Sequence, residues 1–130
     1  MTTEELYELQ EDGNLGYACV YKKGDNGMHT DYMFPMTAEN IANFIGNNAY
    51  TADKIIMTDM CDRLICESIY GGFIMTCPNQ KLCRDIIPHL APIQQGEKEP
   101  KDFPIATKEE MEALWHSEEE AVMQAEFRML

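Results

Sequence analysis

The chain has 130 residues, the commonest size for one domain, and can bury roughly two thirds of its unfolded surface in one core without a metal or disulfide to hold it. Its net charge of −13 disfavours direct binding to nucleic acid or to an anionic membrane, and no apolar run approaches the ~20 residues of a membrane span. Five cysteines behind an acidic start, Met1-Thr2-Thr3-Glu4-Glu5, suit reduced thiols in a cytoplasmic protein.

Thr2 and Glu5 have the spacing of a capping box, Leu6 and Leu9 make a short apolar stripe, and Gly13 suits a left-handed stop, so the chain opens on a short helix. The aromatic and β-branched row from Leu15 to Lys23 predicts a strand. Gly24-Asp25-Asn26-Gly27 then supplies a turn, and Met28 to Phe34 a returning partner. Thr37 can cap a helix that carries Ile41, Phe44 and Ile45 on one face and stops at Gly46-Asn47-Asn48.

Lys54 to Met60, Leu64 to Ile69 and Phe73 to Cys77 are three apolar segments at spacings that suit an antiparallel meander. Asn79 can cap a helix with Leu82, Cys83, Ile86 and Ile87 inward, which Pro88 should end or kink because it has no amide donor. Residues 91–106, with Pro92, Pro100 and Pro104, read as an extended connector packed at Phe103 and Ile105. A second capping box, Thr107 and Glu110, starts a long C-terminal helix whose Met111, Leu114, Trp115, Ala121, Val122, Ala125 and Met129 share a face. The expectation is one α+β domain spanning 1–130. It has an antiparallel sheet of about five strands, helices packed on one face, and that long helix at the end.

The charge is uneven. Residues 1–12 hold five acids and no base, and residues 97–130 hold ten acids against four bases; the stretch between is near balance. On the last helix Glu109, Glu112, Glu119, Glu120 and Glu126 gather away from the apolar stripe. Like charges three, four and seven apart cost helix stability and are relieved by a basic partner, which makes this row the candidate binding surface. The ordinary reading of such a row is a solvated face. Glu118 falls within the apolar stripe, where a carboxylate needs a basic partner, a route to solvent or a chemical role.

Soft ligands are plentiful, but no two close pairs of the C-x2-C kind occur. Asp59, Cys61, Cys66, Cys77 and Cys83 are the candidates for an irregular zinc site, with Cys19, His29, His89 and His116 as further ligand types. Against this stands the ordinary reading of buried cysteines as small hydrophobes. No nucleophile elbow, phosphate loop or basic aromatic stripe is present, so the chain predicts no catalytic residue and no nucleotide chemistry.

The run Lys101-Asp102-Phe103-Pro104-Ile105-Ala106-Thr107, continuing through Trp115 to Leu130, resembles the ends of small proteins from mobile elements of gut Firmicutes. In size and acidity the chain is similar to anti-CRISPR and antirestriction inhibitors, which bind the basic nucleic-acid channels of bacterial defence nucleases. The likeness is one of size and charge and carries no residue across. It implies a non-enzymatic acidic protein-binding module whose partner is a basic protein surface, such as that of a Cas9-type nuclease. The alternative is a zinc-binding structural or regulatory domain that uses Cys, His and Asp ligands.

Overall fold

A computed structural model describes residues 2–22, 24, 27–69 and 74–116, with Ile74 and Met75 described by their backbone alone. The chain is α+β. In order it forms α1 (Thr3–Glu11), β1 (Leu15–Lys22), β2 (His29–Pro35), α2 (Ala38–Asn47), β3 (Ala52–Asp59), β4 (Leu64–Ile69), β5 (Ile74–Thr76) and α3 (Gln80–Gln94). Residues 108–116 are also helical and are called α4 here. No helix among the described residues is long and apolar enough to cross a membrane.

Local chemistry accounts for the helix starts. The hydroxyls of Thr2 and Thr37 accept from the amides of Glu5 and Asn40, and the Asn79 side chain accepts from the Leu82 amide, so each helix has an orphan N–H satisfied. Gly13 takes φ 72°, and the next residue, Asn14, donates to the Leu9 carbonyl to close α1.

The sheet is antiparallel, in the order β2-β1-β3-β4-β5. Four long strands make its body and the three-residue β5 lies at the edge. β1 lies between β2 and β3 because α2 carries the chain from β2 over the sheet and returns β3 to the far side of β1.

The period-two alternation of β1 divides the molecule. Ala18 and Val20 point to one face with Phe34, Ile55, Met57 and Cys66, and there α2 and α3 supply Ile41, Phe44, Ile45, Ile86 and Leu90. Leu15 and Tyr17 point to the other face with Met33, and Leu6 of α1 and Met111 and Leu114 of α4 cover them. Helices therefore pack on both faces, where the sequence predicted one. Alternation in β1 carries apolar side chains on both sides, and each side needs a cover.

α3 also departs from expectation, since it runs through Pro88 and Pro92 to Gln94. An internal proline costs about 3 kcal/mol. Ile86 and Leu90, on either side of Pro88, are buried at 0% and 1% exposure, and each contributes about 1.5–3 kcal/mol, which together offsets the cost of Pro88. Ile87, expected inward, is 45% exposed because the buried stripe of α3 runs along Ile86 and Leu90 instead. The connector is correspondingly shorter. It packs Phe103 and Ile105 against the core and is pinned to α2, where the Lys101 amide donates to Asn43 Oδ1 at 3.0 Å and Asn47 Nδ2 donates to the Lys101 carbonyl at 3.1 Å.

Two glycines allow close approach. A Cβ on Gly46 of α2 would lie 2.7 Å from Ile93 Cγ2 and 2.9 Å from Pro100 Cβ. On Gly16 of β1 it would lie 2.5 Å from Met36 Cγ and 2.7 Å from the Thr58 carbonyl oxygen, and the second contact is backbone of the neighbouring strand. Gly16→Val is expected to cost about 1–3 kcal/mol by overpacking. Urea unfolding checks this, and a variant as stable as wild type would contradict it.

Candidate functional site

Among the described residues, α1 and α4 pack on one apolar cluster. Thr107 and Glu110 form a reciprocal capping box, with the Glu110 amide donating to Thr107 Oγ1 at 3.2 Å and the Thr107 amide donating to Glu110 Oε1 at 3.0 Å. The bond from the Thr107 amide holds the Glu110 carboxyl below its ordinary range. With its start fixed in this way, α4 turns Met111 and Leu114 into the cluster that also holds Leu6 of α1, and leaves Glu109 and Glu112 exposed. Trp115 Nε1 donates to Tyr17 Oη at 2.6 Å, and the two rings stack with centroids 6.3 Å apart, tying α4 to β1. Glu118, Glu119, Glu120 and Glu126 lie outside the described residues.

α1 adds what the sequence reading missed. Glu4, Glu5, Glu8, Glu11 and Asp12 are all exposed, and Glu5, Glu8 and Asp12, three and seven positions along one helix face, line a groove of about 340 Å³. Leu9, Pro35 and Pro104 supply its apolar walls. Three carboxylates over an apolar floor suit the stem and cationic head of an arginine or lysine side chain. The spacing of these acids was visible in the sequence. That Pro35 and Pro104 close a groove beside them was not.

The predicted thiol ligands are divided by the fold. Asp59 ends β3 and Cys61 lies in the turn to β4, where Asp59 Oδ1 accepts from the amides of Cys61 at 2.8 Å and Arg63 at 2.9 Å. The bond from the Arg63 amide holds the Asp59 carboxyl below its ordinary value, and Arg63 Nε lies 3.5 Å from Oδ2. That carboxylate serves the turn. Cys66 is buried in the core with its thiol 3.6 Å from the Met57 sulfur, and burial pushes it up to about 12. Cys77 donates to the Asn79 carbonyl at 3.2 Å, and its thiol is raised by burial first and by Cys83 second. Cys66, Cys77 and Cys83 thus neighbour one another, while Cys61 lies exposed at the opposite end of β4.

Another group does converge. Register pairs Cys19 of β1 with Asp31 of β2 and Tyr21 with His29, all on the sheet face that carries Leu15 and Tyr17. The sulfur, a ring nitrogen and a carboxylate oxygen of Cys19, His29 and Asp31 all lie within 4.8 Å of one another. His29 Nδ1 is 2.7 Å from Asp31 Oδ1, and the Tyr21 ring sits 5.2 Å from the imidazole. Burial, then a hydrogen bond to Asp31, raises the Cys19 thiol to about 11. A thiol held protonated at neutral pH is a poor nucleophile. The residue types were legible in the sequence, but only the hairpin register places them together.

No family model matches this chain, and no curated protein or solved structure does. Its own residues and geometry are the basis for function.

Proposed function

We propose that the protein is a non-enzymatic acidic binding module that docks on the basic surface of a nucleic-acid-handling protein, as an inhibitor of a Cas9-type nuclease would. The observation that carries this reading is the packing of α1 and α4, the two acid-rich ends, on one apolar cluster at one end of the sheet. Their first acids, Glu4 and Glu109, are 105 residues apart in the chain, so segments separated by nearly the whole domain supply carboxylates on two helices that share one apolar cluster. Assembled in this way the carboxylates repel one another, and a basic partner relieves that cost. Lysines and arginines that hold nucleic-acid phosphates are the groups such a surface would occupy.

The test is binding to a basic nucleic-acid-binding protein, Cas9 among them, at low and high salt. Wild type is expected to bind with an affinity that falls as salt rises. At roughly 0.5–1 kcal/mol per charge removed, Glu5→Gln/Glu8→Gln/Asp12→Asn is expected to lower it about 10-fold or more and Glu109→Gln/Glu112→Gln about 5-fold or more. Unchanged affinity and salt dependence in both variants would defeat the assignment.

A further inference from the structure

We infer that Cys19, His29 and Asp31 form a binding site for one zinc-class divalent ion on the part of the β1–β2 face that lies beyond the apolar cluster of the described residues. This site is independent of the acidic end.

Along β1 the side chains on this face are Leu15, Tyr17, Cys19 and Tyr21, and α1 and α4 cover the first two. Among the described residues neither apolar cluster includes Cys19, Tyr21, His29, Asp31 or Ile56, so the packing with α1 and α4 stops short of Cys19. There the three ligand types come together from two adjacent strands, on a rigid ladder rather than on a loop. Cys19 and Asp31 are direct cross-strand partners and His29 is two residues from Asp31 on the same face.

Geometry and chemistry agree on the ion. A tetrahedral ion with bonds of about 2.0–2.3 Å holds its ligand atoms about 3.3–3.7 Å apart. The three atoms here lie within 4.8 Å, and the 2.7 Å contact of His29 Nδ1 with Asp31 Oδ1 need open only slightly to admit it. One thiolate, one carboxylate and a neutral imidazole cancel the charge of a dication. A sulfur beside a nitrogen and an oxygen selects zinc or cobalt over magnesium or calcium, which prefer oxygen alone. Three protein ligands leave a fourth position for water or a small exogenous ligand.

The experiment is titration of the full chain with Co²⁺, followed by displacement with Zn²⁺ against a chromophoric chelator. Wild type is expected to bind one Co²⁺ with a thiolate-to-cobalt charge-transfer band in the near ultraviolet, lost on adding Zn²⁺. Cys19→Ser should abolish the band and weaken Zn²⁺ binding about 100-fold, and His29→Gln and Asp31→Asn should each weaken it about 10–100-fold. Asp31 is exposed, so Asp31→Asn gives a reading even where Cys19→Ser disturbs folding. Wild type without the band would overturn the inference. So would a band that survives Cys19→Ser or that Cys77→Ser/Cys83→Ser removes, either of which would assign the metal to other thiols.

Discussion

Phe34→Ala is expected to lower the stability of the chain by about 3–5 kcal/mol, a large share of the 5–15 kcal/mol that holds a domain of this size together. Phe34 is fully buried, and its ring lies 4.8 Å from that of Phe44 and 5.0 Å from that of Phe103, the second pair meeting nearly edge to face. Each ring comes from a different element: β2, α2 and the proline-bearing connector. Removing the middle ring leaves a cavity at their junction that rigid strand and helix backbones cannot close, which places the cost at the upper end for a core truncation. Tyr50→Ala makes the contrast, since Tyr50 is 90% exposed and its loss should stay within about 0.5 kcal/mol. Urea denaturation of both variants checks the pair. A cost below about 1 kcal/mol for Phe34→Ala would mean that the connector does not close over the sheet.

Much of this architecture could be read from the sequence because it is written locally. Thr37 and Asn79 cap the helices that follow them, Gly13 stops α1, and the glycine-bearing segment at 24–27 separates β1 from β2. What the sequence concealed depends on long-range partners. The alternation Leu15, Tyr17 against Ala18, Val20 is apolar on both sides, and nothing local says that a second face requires helices of its own. Pro88 is a strong local stop, overridden by two buried neighbours whose burial is not a property of residues 80–94 alone. The thiols illustrate the same limit. Asp59 and Cys61 are close in sequence and serve a turn, whereas Cys19 and Asp31, twelve residues apart, are brought face to face by the hairpin register. Proximity along the chain was a poor guide to which of these side chains meet; register is the variable that decides it.

Leu114→Ala is expected to cost about 2–5 kcal/mol and, more tellingly, to loosen α1. Leu114 has 0% exposure and shares a cluster with Leu6, Leu15 and Met33, so the side chain that seats α4 also helps seat the first helix. Leu6 is the one buried residue of α1, which gives that helix few other attachments. The variant should therefore lose hydrogen-exchange protection in α1 as well as near its own position, while Glu112→Ala, on the exposed side of α4, should leave both within error. The same substitution bears on function. If affinity for a basic partner depends on holding the two acidic ends together, Leu114→Ala should weaken binding although it removes no charge, and restoring protection in α1 should restore affinity. Loss of α4 stability with α1 protection intact would separate the two helices energetically. The acidic end would then be two independent surfaces, and the binding effects of the α1 and α4 carboxylate variants should add.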